Sequence, residues 1–329
     1  MVDVLLISPP FKGLLREPVG LYYLAGTLNP KGISTTLIDF NIELPTRSRF
    51  HEYFQHLKPK IVGVTSYTFN FSAAEKIVEE IKKIEPKTVT VMGGVHASAL
   101  PEEILRSNSA LDFIVVGEGE VTFLELCSKI LNGETVEDVK GLVQRKDGKV
   151  VVNSPRELIN NLDDLPSPNR EMLPFEKYPV ASVQTSRGCP YNCIFCNINR
   201  FYGKRIRLRD PKKVAEECSV LVEKYKRDKI FFFGDAFTFR TDWVEEFCNE
   251  ILRRHLKFIW GCETRVDNVN LPMLKKMRKA GCCEIQYGID YGDEKVLRNL
   301  GKDFSITTIS DSVESVSYTH LRAHETVLD

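Results

Sequence analysis

Cys189, Cys193 and Cys196 stand four and then three positions apart in the stretch Ser186-Arg187-Gly188-Cys189-Pro190-Tyr191-Asn192-Cys193-Ile194-Phe195-Cys196. Three thiolates on one short loop can converge on a single metal centre, and Gly, Pro and Asn let the backbone wrap around it. No fourth cysteine follows at matching spacing. A closed zinc site takes four ligands, so three imply a centre with one position left open. Zinc remains an alternative if Cys218, Cys262 or His255 supplies a distant fourth ligand. A second set of residues suited to a ligand is Pro9-Pro10, Thr65-Ser66, Gly93-Gly94 with His96, and Gly117-Glu118-Gly119, each following an apolar run.

The elements that would position these groups can be read from periodicity. In residues 1–140, the strand-like runs Val4–Ile7, Thr35–Ile38, Ile61–Val64, Val89–Met92 and Phe113–Val116 alternate with helical patterns. Leu21, Leu24, Ala25 and Leu28 form one apolar face. Ala74, Ile77, Val78 and Ile81 form another, with Ser72 opening a capping box to Glu75. This alternation predicts an α/β domain with a doubly wound, Rossmann-like parallel sheet. The proline, threonine and glycine loops would then lie at the C-terminal edge of the sheet, where open α/β folds bind ligands. Glycine there admits close approach of a ligand, although it also serves ordinary tight turns.

Residues 141–179 predict a hairpin around Asp147-Gly148 and then a linker containing Pro155, Pro166, Pro168 and Pro174. Over 180–314 the alternation resumes. A strand at Val180–Val183 enters the cysteine loop, Ile230–Phe233 ends in Gly234-Asp235, Phe258–Trp260 leads to Arg265, and Glu284–Asp290 is a fourth strand. Helices are expected from Pro211, from Asp242 to His255 and from Leu271. Repeated βα units predict a partial (β/α) barrel with chemistry at its C-terminal mouth. The basic run Lys204–Arg209 is either a solvated edge or a group that orients an anionic substrate.

Composition narrows the class. In 329 residues Lys plus Arg and Asp plus Glu both number 45, a balance that disfavours a nucleic-acid-binding protein. No apolar run approaches the roughly 20 residues of a membrane span. The N-terminal Met1–Ile7 reads as a strand and not as a signal peptide. Nine cysteines, an odd number and mostly dispersed, point to a reducing, cytoplasmic setting with buried thiols and one metal site.

The cysteine pattern, with aromatic Phe195 before the last cysteine, resembles the signature of radical S-adenosylmethionine (SAM) enzymes. Residues 1–140 resemble the cobalamin-binding domain of one large subgroup, and the likeness extends to about residue 314. The resemblance implies a 4Fe-4S cluster on Cys189, Cys193 and Cys196, with SAM on the fourth iron. It implies SAM contacts at Phe195, Gly234, Asp235, Arg265, Gly288 and Asp290, with Arg265 as either a carboxylate clamp or a surface ion pair. Where the family often has Gly-Ile-Glu-Ser-Gly, this chain has Gly288-Ile289-Asp290-Tyr291-Gly292, a shorter carboxylate. Cobalamin contacts are implied at Pro9, Pro10, Thr65, Ser66, Gly93, Gly94, His96, Gly117, Glu118 and Gly119. The Asp-x-His-x-x-Gly pattern is missing at Asp39-Phe40-Asn41, so His96 is expected at the corrin periphery and not on cobalt. The implied reaction is methyl transfer to an unactivated centre of a small molecule, fed by a flavodoxin- or ferredoxin-like donor. Radical cyclisation or oxidative rearrangement, or a binding protein with a structural cluster, are the alternatives.

The family barrel usually has six βα units, and four are legible here. Residues 315–329, with the string VSYTHLRAHET, resemble a translated sequencing adaptor. They are expected to be a non-native tail on a truncated chain. The expected consequences are an unpaired fourth strand and poor activity. His320 and His324, four apart, are attributed to that tail and not to a metal site.

Overall fold

The computed structural model describes residues 2–11, 13, 15–43, 46–319 and 322–325. The chain forms two compact units, Met1–Ile159 with Leu165–Tyr178, and Asn160–Asp164 with Pro179–Asp329.

The first unit is a seven-stranded sheet in the order β2-β1-β3-β4-β5-β6-β7. Its strands are β1 (Val4–Ser8), β2 (Thr35–Asp39), β3 (Ile61–Thr65), β4 (Val89–Gly93), β5 (Phe113–Val115), β6 (Leu142–Lys146) and β7 (Lys149–Val152). The first five run parallel, and β6 and β7 are antiparallel. All five residues of β1 are buried, as a strand covered on both faces requires. The helix Phe71–Ile84 buries Ala74, Val78 and Ile81. Its cap differs from expectation: a 3-10 turn, Thr68–Asn70, precedes it and Asn70 is the N-cap, so Ser72 falls in the first turn. The Asn70 side-chain oxygen instead accepts the Tyr67 N–H at 2.8 Å. A helix at Arg47–Leu57 was not legible, because it buries only Phe50 and Phe54.

The hairpin forms as expected, with Asp147 (φ 50°) and Gly148 (φ 75°) both left-handed at its turn. It extends the first sheet, however, and does not stand apart in a linker. The proline-rich stretch after it is also packed. Leu173, Phe175 and Tyr178 are buried. The Tyr178 hydroxyl donates to Asp39 at 2.6 Å, and Arg170 pairs with Glu17 at 3.1 Å with both side chains shielded from water. Periodicity misses this segment because its anchors are single residues spaced along an irregular backbone.

The second unit holds β8 (Ala181–Gln184), β9 (Ser186–Arg187), β10 (Arg207–Leu208), β11 (Lys229–Phe233), β12 (Ile259–Thr264), β13 (Cys282–Tyr287) and β14 (Arg322–Glu325). β9 and β10 pair antiparallel, and the other five form a parallel sheet in the order β14-β13-β12-β11-β8. Rings of Phe232, Phe247 and Trp260 lock the sheet to its helices with centroids 5.1–5.8 Å apart. The basic run divides: Lys204 and Arg205 are exposed, whereas its later arginines turn inward. Arg207 is buried, and Arg209 bonds Glu217 at 2.6 Å and the Gln184 carbonyl at 2.9 Å.

The expectation of four strands with an unpaired fourth is overturned. β14 pairs in parallel with β13, from Glu284 opposite Arg322 to Tyr287 opposite Glu325. The helix Ile306–Tyr318 precedes it and crosses the expected start of the tail at 315. That helix is anchored by Ser312, whose hydroxyl donates to the Val266 carbonyl at 2.8 Å, and by buried Val316. His324 lies in the strand and not on a helix with His320, which is outside the described residues.

Candidate active site

The cysteine loop leaves β9 through Gly188, whose φ of 88° is left-handed. A Cβ there would sit 2.2 Å from the Arg205 carbonyl oxygen, so the turn requires glycine. Backbone bonds then fold the loop: Cys189 N–H to the Gly203 carbonyl at 3.2 Å, Cys196 N–H to the Cys193 carbonyl at 3.1 Å, and Ile194 N–H to the Leu300 carbonyl at 3.0 Å. Cys189 and Cys193 are half-buried and Cys196 is exposed. Burial pushes the Cys189 and Cys196 thiols up, and the neighbouring sulfurs push them further. A cationic centre is what would relieve such thiolate repulsion. The Ile194 and Phe195 side chains lie open at 73% and 51% exposure.

The remaining cysteines behave differently. Cys127, Cys218, Cys248, Cys262 and Cys282 are buried, and burial pushes Cys248 up to about 12. These are inert core thiols. Cys218 and Cys262 therefore do not offer the distant zinc ligand. Among the described residues no three or more His, Cys, Asp or Glu side chains surround a single ion position.

Three other segments meet the loop. After β11, Gly234 lies so close to it that a Cβ would be 2.5 Å from the Ser186 hydroxyl and 2.7 Å from that of Thr185. Asp235 accepts the Gly188 N–H at 2.5 Å. After β12, the Arg265 guanidinium lies 3.7 Å from the Tyr191 ring centre, and its Nη1 is 3.9 Å from the Cys193 sulfur. Its fork is already engaged by Asp267, at 2.9 and 2.8 Å, with the arginine side chain 11% exposed. Arg265 thus forms a largely buried ion pair with Asp267 beside the cysteine loop. After β13, which ends at Tyr287, Gly288 and Asp290 form a turn that Lys302 bonds at the Gly288 carbonyl, 2.5 Å, and at the Asp290 carboxylate. Asp267 and Lys302 carried no sequence signal, since neither belongs to a periodic or spaced pattern.

Asp235 is pH-sensitive. Burial is the main reason its carboxyl is pushed from an ordinary 3.8 up to about 6, against the pull of the Gly188 N–H and of Arg187 and Arg207. A carboxyl that holds its proton more tightly when folded weakens the fold once it ionises. The cost is absent below pH 3.8, grows as pH rises and is complete above about 6. Asp235→Asn keeps an oxygen for Gly188 and is expected to stabilise the apoprotein by about 1–3 kcal/mol at neutral pH. Urea unfolding at acidic and neutral pH measures it. Equal stability of both proteins at neutral pH would refute it.

In the first unit the parallel strands bring the ends of β1, β3, β4 and β5 to one edge, with the expected ligand loops on it. Gly94 (φ 97°) is obligatory, because a Cβ would lie 2.6 Å from the Ser66 carbonyl oxygen. Ser66 N–H and hydroxyl both donate to the Gly93 carbonyl, at 2.8 and 3.0 Å. His96 shares a hydrogen bond of 3.0 Å between its Nδ1 and the Thr68 hydroxyl, and its ring packs on Phe71 at 4.3 Å. Gly117 N–H donates to the Ser98 hydroxyl at 3.0 Å. Glu118 is buried and accepts the Ile159 N–H at 2.7 Å, so it braces the loop from within. Sequence reasoning missed an aromatic stack on the same edge: Phe69 lies 4.1 Å from Phe11 and 5.2 Å from Tyr67, and all three are exposed.

The Radical SAM superfamily model matches residues 183–317, and the B12 binding domain model matches residues 13–127. Over 335 residues the chain is 32% identical to an uncharacterized methyltransferase of Pyrococcus horikoshii, covering 98% of this chain and 73% of that one. The chain belongs to the radical SAM superfamily.

This radical SAM protein is also 32% identical over 303 residues to the anaerobic magnesium-protoporphyrin IX monomethyl ester cyclase of Rubrivivax gelatinosus, covering 88% of this chain and 54% of the relative. Its fold is that of the radical SAM methyltransferase TsrM of Kitasatospora setae, with a TM-score of 0.84 at 19% identity over 99% of this chain and 66% of that one. A radical SAM domain implies a 4Fe-4S cluster and SAM, and a B12 binding domain implies cobalamin. The residues fit the cluster: three thiols sit on one loop beside a guanidinium, and burial with the neighbouring sulfurs disfavours metal-free thiolates at Cys189 and Cys196. Radical SAM chemistry also requires a reductant. Among the described residues no helix is long and apolar enough to cross a membrane.

Proposed function

We propose that this chain is a cobalamin-dependent radical SAM methyltransferase acting on an unactivated carbon or phosphorus centre of a small molecule. The observation that carries this reading is the convergence of Gly234-Asp235 and Arg265 on a three-cysteine loop. A bound cluster would supply the electron for reductive cleavage of SAM, and bound cobalamin would supply a methyl carrier. Cys189, Cys193 and Cys196 hold the cluster, and the Arg265 N–H steadies the Cys193 sulfur. Asp235 and the Gly234 backbone meet the SAM amino group, Gly288 and Asp290 face the ribose, and Phe195 lines the seat. In the cobalamin domain, Pro9, Pro10, Thr65, Ser66, Gly93, Gly94, Gly117 and Gly119 form the rim, with Glu118 behind it. His96 is assigned to the corrin periphery; its Nδ1 shares a hydrogen bond with Thr68 and its ring packs on Phe71. Gly93 and Gly119 would meet only ordinary contacts with a Cβ, at 3.8 and 3.5 Å, so their own packing leaves room for a ligand's close approach.

Nine cysteines, odd in number and mostly dispersed, suit a reducing cytoplasmic setting, and we assign the electron supply to a flavodoxin- or ferredoxin-like donor. A second reading, radical cyclisation, is favoured by the 32% identity to the R. gelatinosus cyclase. Anaerobic reconstitution with iron, sulfide, cobalamin and a chemical reductant separates them. 5′-Deoxyadenosine together with S-adenosylhomocysteine is the expected result. 5′-Deoxyadenosine without S-adenosylhomocysteine would favour cyclisation, and no SAM cleavage by cluster-loaded protein would refute both.

A further inference from the structure

The helix Glu294–Asn299 is followed by Leu300-Gly301-Lys302, which meets the cysteine loop at successive points. The Leu300 carbonyl accepts the Ile194 N–H at 3.0 Å. Gly301, at φ 77°, lies so close that a Cβ would be 2.4 Å from the Asn192 carbonyl oxygen. Lys302 then turns back into the site with its side chain 5% exposed. Its Nζ donates to the Gly288 carbonyl at 2.5 Å, pairs with Asp290, and lies 5.6 Å from the Phe195 ring centre. The Cys193 and Cys196 sulfurs are near enough to act on it electrostatically.

An ammonium is strongly hydrated, and burying one is costly unless its donors are met. Here one donor meets the Gly288 carbonyl and the charge is paired with Asp290, while Nζ also faces the aromatic ring of another loop. That turn needs support, since Asp290 has φ 68°, a conformation rarely adopted by residues other than glycine. No regular strand or helix covers residues 288–293; the Gly288 N–H donates to the Thr264 carbonyl and the Ile289 N–H to the Tyr287 carbonyl, both at 3.1 Å, and the Lys302 side chain adds a further tie.

We propose that Lys302 is a positioning residue that locks the Gly288–Asp290 turn against the cysteine loop and so presets the seat for SAM. The proposal rests on the reading above that these two loops share that ligand. A merely structural lysine would change stability and leave the ligand affinity of folded, cluster-loaded protein unaltered. A positioning lysine changes that affinity, and does so through Asp290.

The test compares cluster-loaded wild type, Lys302→Met, Lys302→Arg, Asp290→Asn and the double variant Lys302→Met/Asp290→Asn. Readouts are iron content, equilibrium SAM binding without turnover, and the change SAM induces in the electron paramagnetic resonance spectrum of the reduced cluster. Wild-type iron loading is expected throughout. SAM affinity should fall about 10–100-fold in Lys302→Met, the usual range for partners behind a metal site. The spectral change should weaken with it, and Lys302→Arg should recover most of both. The double variant should bind no more weakly than Lys302→Met, because the pair acts as a unit. Unchanged SAM affinity in Lys302→Met, or losses that simply add in the double variant, would overturn the proposal. If Lys302→Met loads no iron, Lys302→Gln takes its place: weakened SAM binding supports the proposal and unchanged binding overturns it. Wild type that loads a cluster but neither binds SAM nor changes spectrum overturns the functional reading itself, and this proposal with it.

Discussion

Replacing Cys193 with alanine is expected to leave a folded chain that no longer assembles a stable cluster and forms no 5′-deoxyadenosine above background. The half-buried sulfur lies between the other two ligands in sequence and beside Arg265 Nη1, 3.9 Å away. The loop's course is set by backbone bonds from Cys189, Ile194 and Cys196, none of which needs the Cys193 side chain. Removing one thiol of three therefore attacks ligation and leaves the fold intact. Iron and sulfide analysis after anaerobic reconstitution, visible absorption and product chromatography measure the loss. Circular dichroism and thermal unfolding of the apoprotein should match wild type. A full iron complement with retained SAM cleavage in Cys193→Ala would remove the basis for assigning this loop to the cluster. The same substitution at Cys248, a core thiol distant from the cysteine loop in sequence, should leave iron loading unchanged and cost stability through a small cavity instead.

Gly188→Ala is expected to be the most damaging single change to the site that touches no ligand. The new methyl would carry a left-handed φ of 88° and stand 2.2 Å from the Arg205 backbone oxygen, a partner that cannot rotate away. Relief requires moving either β10 or the start of the cysteine loop. Movement of the loop start breaks the Gly188 N–H bond to Asp235. A cost of about 3 kcal/mol or more is expected, combining left-handed strain with a backbone clash. Urea unfolding of the apoprotein would report it. Reconstitution should yield substoichiometric iron even where the fold survives. Gly292→Ala is the control, because a Cβ there meets nothing within 4 Å and the effect should stay within about 0.5 kcal/mol. Equal stabilities for the two variants would show that the turn at Gly188 is freer than its geometry indicates.

The sequence by itself determined the chemistry of the site and the class of the fold. Both are local properties. The three proposed ligands lie within eight consecutive residues, so their spacing survives without knowledge of the fold. The apolar runs of β1, β3 and β4 announce a parallel sheet because both faces are covered, which also places the loops after them on one edge. What only the tertiary structure decided are pairings between residues far apart along the chain. Arg265 was legible as a cation near the site, but that Asp267 holds its fork while Nη1 faces Cys193 depends on where the turn after β12 lies. Arg207 and Arg209 read as a basic surface until partners from other segments drew them inward. The proline-rich segment looked like a linker because buried Arg170 and Tyr178 find Glu17 and Asp39 more than a hundred residues away. β14 could not be assigned from four residues without alternation, since parallel pairing with β13 is supplied by the neighbouring strand. Lys302 is the clearest case: its identity is ordinary, and its role comes from a helix end that delivers one buried charge between two loops. Ligand spacing and strand burial are written in neighbouring residues, whereas a charge finds its partner only after the chain has folded back on itself.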